Sequence, residues 1–319
     1  MKKTIFLIGL LSLIFFSCTK EIKFKGDIED PVVVVNALFS PDSVMKVRVI
    51  KSMFILDNPN QPTLLEDANV EASINGIPCA DFSYDKNGYY VSPTIPNEGD
   101  DIDIQVRVPG FDVITASTKV PKRVPIILTD TISWQSSLVL SVGNQKFGIL
   151  TKYINPEGTN YYRTTLRRYM VGDGGKDTSY CNYNFSINSF YVKNKEEHKV
   201  SENIIEMYSD ANFKFFQKAN SPGEIKLPYS FYSGLRDTLI INRNQKIPVR
   251  TDSIVICFES IDENYYKYCE TYQRQLDISS GPLADASAIY TNVEGGTGIV
   301  GGRTRSVIGF KIAYPAKSE

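Results

Sequence analysis

Between residues 31 and 121 apolar and polar positions alternate in short runs separated by turn signals. In DIDIQVRV, Ile102, Ile104, Val106 and Val108 take one side and Asp101, Asp103, Gln105 and Arg107 the other. KVRV sets Val47 and Val49 against Lys46 and Arg48, and NVEASI puts Val70, Ala72 and Ile74 on one face. A period of two is that of a strand with one buried face. PVVVVNALF reads as an apolar strand. Asn75-Gly76 predicts a hairpin, because both residues accept positive φ, and ADFSY returns with Phe82 and Tyr84 inward. Pro109-Gly110 makes the next turn before VITASTKV. Short strands at this spacing predict an immunoglobulin-like β-sandwich over residues 31–121. The Cys…Trp…Cys pattern of antibody domains is absent, so only the architecture follows.

Pro121 and Pro125 bracket KRV, which marks a domain boundary. Residues 122–319 remain strand-rich, in segments such as KFGILTKYI, NYYRTTLRRYMV and DSIVICFESI, and predict a second, sandwich-like β domain with one or two short helices. Asp262 is a good N-cap for ENYYKYCETYQRQL. There Tyr265, Tyr268, Cys269, Tyr272 and Leu276 fall on one helical face, which predicts packing against a sheet. SENIIEMY, residues 201–208, reads as a second, weaker helix.

The chain opens Met1-Lys2-Lys3 and then runs uncharged from Thr4 to Phe16. Thirteen helical residues reach only about 20 Å, short of a bilayer core of about 30 Å. The run therefore reads as a secretory signal over residues 1–17 rather than a span. It ends at Ser17-Cys18, which resembles a bacterial lipobox with Cys18 as the acylated first residue. Several acyl chains make an anchor, since each buried CH₂ contributes about 0.8 kcal/mol. Residues 18–30 mix charges and read as a linker behind that anchor.

Composition narrows the chemistry. The formal charge of −1 becomes −3 once Lys2 and Lys3 are removed, which argues against a nucleic-acid partner. Beyond Cys18 there are Cys79, Cys181, Cys257 and Cys269. Buried thiols and disulfides, with three pairings, both stay open.

Gly296, Gly298 and Gly301 match G-x-G-x-x-G, and Gly295 and Gly302 flank them. A dinucleotide site needs a helix after the motif; a β-rich TRSVIGFKI follows instead. These five glycines therefore read as a structural loop that needs positive φ or close approach. The only histidine, His198, lies in the charge run KNKEEHKV and reads as part of a solvated loop. No catalytic residue, metal set or cofactor site follows from one histidine and scattered cysteines. EGDDID, residues 98–103, lacks the order of a calcium loop and reads as a turn entering a strand. The aromatic clusters NYYRTTLRRY, YNFSINSFY and YSFYSGL read mainly as core and sheet-face packing, with a partner-binding surface as the other use.

Several segments in order resemble one family. They are CTKEI at Cys18, VVVVNALFSPDSVMKVRVIKS, LEDANVEASING, NPEGTNYYRTTL, YSDANF, FESIDENYYKYCETYQRQ and AIYTNVEGGTGIVGG. This set resembles the domain-of-unknown-function 4249 family of Bacteroidota lipoproteins. The resemblance implies an outer-membrane lipoprotein, often encoded beside a TonB-dependent barrel, and no established activity. Lys20 and Glu21 resemble surface-export signals, which favours the cell surface over the periplasmic face. The expectation is a non-enzymatic accessory or ligand-capture subunit, with the membrane and a TonB-dependent barrel as partners. The alternative is a structural or adhesive surface protein.

Overall fold

The computed structural model describes residues 30–53, 62–135, 144–172, 178–182, 185–187, 190–193, 196–199, 204–209, 214–234, 238–242, 245–279 and 288–311. The protein is mainly β, with several sheets and one described helix. The first strands are β1 (Val33–Phe39), β2 (Met45–Lys51), β3 (Asn69–Ile74), β4 (Ile77–Pro78), β5 (Ser83–Tyr84), β6 (Tyr89–Ser92), β7 (Asp101–Arg107) and β8 (Ile114–Lys119). β9 (Ile127–Gln135), β10 (Asn144–Asn155), β11 (Asn160–Gly172), β12 (Thr178–Asn182), β13 (Phe185–Ile187), β14 (Phe190–Lys193) and β15 (Glu196–Lys199) follow. The chain continues through β16 (Ile204–Ser209), β17 (Lys214–Ala219), β18 (Gly223–Gly234), β19 (Thr238–Asn242), β20 (Gln245–Ile261), α1 (Glu263–Ser279) and β21 (Thr297–Lys311).

The alternation in the first region becomes burial. Ile102, Ile104, Val106 and Val108 are buried, as are Val47 and Val49. Asn75 and Gly76 both have positive φ, 53° and 78°, where the chain turns between β3 and β4. β4-β3-β7-β8 form a four-stranded sheet, and its apolar face shares one core with β1, β2 and β6. The second core lies between β10 and β18 on one side and β11 and β20 on the other. Sheet β13-β18-β10-β9 supplies the first of those layers.

One long sheet serves both cores. Its strand order is β16-β17-β11-β20-β21-β1-β2-β6-β5. β21 makes the join: Thr297–Gly302 pair in parallel with β1, and Arg303–Lys311 pair antiparallel with β20. The last strand therefore crosses the division placed at residue 121. Arg123 and Val124 are also fastened. Arg123 bonds Glu98 through Nε at 2.9 Å and Asp42 through Nη2 at 2.7 Å, and Ser306 donates to the Val124 carbonyl at 2.9 Å.

Along β21, Val300 joins the first core and Ile308 packs on the second. Gly301, on the other side of the strand, meets Tyr265 of α1. Both cores thus sit on one side of β21 and the helix on the other.

Three expectations change. Residues 204–209 form a strand, not a helix, paired with β17; the apolar pair Ile204-Ile205 fits strand pairing as well as a helical turn. Residues 196–199 pair with β14, so His198 lies in a strand opposite Tyr191 rather than in a loop. The helix is rotated relative to the tyrosine stripe. Tyr266, Cys269 and Gln273 form its buried line, Tyr265 and Tyr268 of the expected stripe are partly buried beside it, and Tyr272 and Leu276 are 44% and 39% exposed. The rotation seats Tyr266 against the Tyr161 ring, 4.8 Å between centroids, and turns Tyr265 toward Gly301.

Candidate functional site

Strand alternation puts Phe258 into the second core and turns Glu259 to the opposite face, beneath α1. Register then aligns charges across three strands: Arg163 on β11 opposes Glu259 on β20, and Glu259 opposes Arg305 on β21. Glu259 is 2% exposed. One of its oxygens takes Nε and Nη2 of Arg163. The other takes Arg303 Nη1 at 3.1 Å and Arg305 Nη2 at 3.3 Å. Arg163 Nη1 also donates to the Tyr265 hydroxyl at 2.7 Å. Three guanidinium groups thus share one buried carboxylate.

Burial opposes the charge of Arg163, but the Glu259 carboxylate outweighs it and holds the guanidinium above its ordinary pKa. Burial lowers the pKa of Arg303 despite Glu259, and the neighbouring Arg163 and Arg305 act in the same direction. Burial also raises the Tyr265 hydroxyl, so it remains a phenol.

Arg303 and Tyr265 also line an open groove of about 480 Å³. Its floor is the long sheet. Ile299, Asn36, Arg48 and Tyr89 stand in one cross-strand row over β21, β1, β2 and β6. Lys46 and Ser43 complete its polar lining. Asn36 Oδ1 accepts from the Ile299 amide at 3.2 Å, which fixes the asparagine. Arg48 Nε donates to the Asn87 carbonyl at 3.2 Å, and its guanidinium carbon lies 5.5 Å from the centre of the Tyr89 ring. A wider cleft of about 930 Å³ lies between β7–β8 and the start of α1, with Asp101, Asp103, Tyr161 and Glu263 among its walls.

Asp262 fastens the helix between these two openings. Its Oδ1 accepts from the amides of Tyr265 and Gly302, each at 3.1 Å, and its Oδ2 accepts from the Thr118 hydroxyl at 2.8 Å. Burial raises its carboxyl above the usual value, while the bonds from Thr118, Gly302 and Tyr265 pull the other way. This is the N-cap expected from sequence, with two further strands tied to it.

The glycine run lies against backbone. A Cβ on Gly295 would fall 2.5 Å from the Val113 carbonyl oxygen, and one on Gly296 2.6 Å from that of Val33. At Gly298, where φ is +116°, it would fall 2.1 Å from the Val35 oxygen, and at Gly302 2.1 Å from the Lys119 oxygen. A Cβ on Gly301 would come within 2.8 Å of Tyr265 Cβ. From Thr297 onward these residues are strand rather than loop.

Cys18 lies outside the described residues. Cys79 and Cys257 carry free thiols, both pushed up mainly by burial. Among the described residues no group of three His, Cys, Asp or Glu side chains could hold a metal ion. The charge cluster and its groove escaped the sequence reading. A signal was present: Glu259 interrupts the apolar run IVICFESI, and Arg303 and Arg305 are two apart in a strand.

No curated protein matches this sequence. Residues 19–307 match the family described as a domain of unknown function, DUF4249, and since the match spans most of the chain, the protein belongs to that family.

Proposed function

We propose that this protein is a non-enzymatic lipoprotein of the outer membrane, acylated at Cys18, that captures a ligand for a TonB-dependent transporter. The observation that carries the reading is the short apolar run of residues 4–16, preceded by Lys2-Lys3 and ended by Ser17-Cys18. Among the described residues no helix is long and apolar enough to cross a membrane. The grooves on either side of Asp262 sit on paired strands, a scaffold suited to presenting binding residues.

Two measurements test the reading. Cys18→Ser should abolish fatty-acid labelling and leave an unprocessed or soluble chain; unchanged labelling and membrane retention would refute the anchor. Purification of the wild-type protein from detergent-solubilised outer membranes should bring down a large β-barrel. Recovery of the lipoprotein without a barrel at matched yield would refute the transporter role and favour the adhesive one.

A further inference from the structure

The groove beside α1 carries positive charge that its own lining does not balance. Its cations are Lys46, Arg48 and Arg303, and among the described residues no Asp or Glu lines it. The carboxylate beneath it, Glu259, already serves Arg163, Arg303 and Arg305. Lys46 is exposed and has no ion-pair partner among the described residues. An unbalanced cluster of this kind favours oxyanions, which gain charge-assisted hydrogen bonds from ammonium and guanidinium donors.

The remaining lining argues for the rest of the ligand. β21, β1 and β2 are each paired on both sides, so the floor offers no free strand edge to an extended peptide. Recognition there falls to side chains. Tyr89 is 38% exposed at one side of the groove, and Tyr265 stands at the helix side. From Tyr265 the rings of Tyr268 and Tyr272 continue along α1, with centroids 6.4 and 6.0 Å apart and planes within 13° of parallel. The C–H faces of a sugar ring carry partial positive charge and suit the negative face of a tyrosine. Asn36 and Ser43 add hydroxyl-binding groups.

We propose that this groove binds an acidic oligosaccharide, its carboxylates set against Lys46, Arg48 and Arg303 and a sugar ring against the exposed part of Tyr89. The assignment does not depend on a transporter partner, since an adhesive protein would use the same groove.

Calorimetric titration of the full chain in detergent with tetragalacturonate tests it. The expected result is saturable binding that high salt weakens, with no binding of neutral maltotetraose. Lys46→Glu and Tyr89→Ala should each weaken binding by about tenfold, a loss of about 1.4 kcal/mol. Lys152→Glu, on a strand away from the groove, should leave it unchanged. Arg303 is a poor choice for mutation because it also holds Glu259. Thermal unfolding of each variant separates lost binding from lost fold. Undiminished binding by Lys46→Glu would overturn the proposal, as would equal binding of maltotetraose. Poly-L-glutamate binding as tightly, with Tyr89→Ala silent, would replace the saccharide with an acidic peptide. Displacement of the tetramer by equimolar inorganic phosphate would reduce the groove to a simple anion site and also overturn the proposal.

Discussion

Val33, Val35, Val47, Val49, Ile102, Ile104 and Ile114 line the first core, whereas Tyr153, Tyr162, Tyr229 and Phe258 fill the centre of the second. The aliphatic side chains ask only to be removed from water and packed densely. The tyrosines add ring contacts: Tyr153 lies 4.8 Å from Tyr162 and 4.7 Å from Phe258 between centroids. They also bring hydroxyl groups that need partners. Tyr162 donates to Asn155 Oδ1 at 2.7 Å, and the Tyr229 and Thr164 hydroxyls bond at 2.9 Å. Burial pushes the Tyr153, Tyr162 and Tyr229 hydroxyls well above their ordinary pKa, so all three stay neutral. The first core is mainly aliphatic, although its Tyr90 hydroxyl donates to the Leu65 carbonyl at 2.7 Å. The aromatic one fixes direction, and a buried charge cluster lies on the far face of the same strands.

β21 couples the two, and its removal gives the largest expected effect. A chain ending at Gly296 loses the parallel partner of β1 and the antiparallel partner of β20 together. Neither region should then show a cooperative thermal transition or protected amides. A retained transition with protection confined to β2, β3, β7 and β8 would show that the first region folds without its C-terminal strand. Gly302→Ala is the point version. Its Cβ would meet the Lys119 carbonyl at 2.1 Å, an overpacking that costs about 1–3 kcal/mol.

Next comes Glu259→Ala. Removing the shared carboxylate strands Arg163, whose side chain is 11% exposed. Breaking a buried pair from one side costs about 3–5 kcal/mol. The double change Glu259→Leu with Arg163→Leu should cost less than Glu259→Ala, because no buried charge is then left alone. Equilibrium unfolding in urea measures both. Equal losses would mean that the ion pair itself, rather than its desolvation, carries the stability.

The same contrast explains what could be read in advance. DIDIQVRV and KVRV expose their period directly, and Asn75-Gly76 states its turn, so the first region was legible residue by residue. In NYYRTTL Tyr162, Arg163 and Thr164 are buried in succession, followed by Leu166, because β11 is covered on both faces, by the second core and by α1. Alternation disappears where neither face meets water. The Glu259 cluster depends on register across β11, β20 and β21, which joins residues about 100 and 40 positions apart, and no local pattern reports such pairings. The glycine run was readable as a backbone requirement. That it threads between β1 and β8 was not.

Asp262 tests how firmly the helix is tied to both regions. Asp262→Ala orphans the Tyr265 and Gly302 amides and the Thr118 hydroxyl, at a cost of about 1–3 kcal/mol. Asp262→Asn retains an acceptor for the amides and should cost less. The pH dependence separates charge from capping. The folded carboxyl sits above its ordinary value of 3.8, so the unfolded chain loses this proton first as pH rises. Stability therefore falls between pH 3.8 and the raised folded value and is level above it, as far as this group is concerned. In Asp262→Asn that fall should vanish from urea midpoints measured across the acid range. An unchanged fall would assign the pH dependence to other carboxylates.

The smallest effect expected is that of Tyr162→Phe, which asks whether hydroxyls specify the aromatic core or merely accompany its rings. The ring is fully buried and keeps its contacts with Tyr153 and Phe258 in the variant. Only the hydroxyl donor is lost, and with it the bond to Asn155. Asn155 stays anchored through Nδ2, which donates to the Ser221 carbonyl at 2.7 Å, but its Oδ1 loses the donor it faced. One net hydrogen bond is worth about 1 kcal/mol, and an unsatisfied buried acceptor raises the cost toward the upper end of 1–3 kcal/mol. The double variant Tyr162→Phe with Asn155→Leu removes both partners. If the hydroxyl acts by satisfying Asn155, the double variant should regain part of the loss in a thermodynamic cycle. Additive losses would mean that the tyrosine core is held by its rings alone, and the two cores would then differ in shape but not in kind.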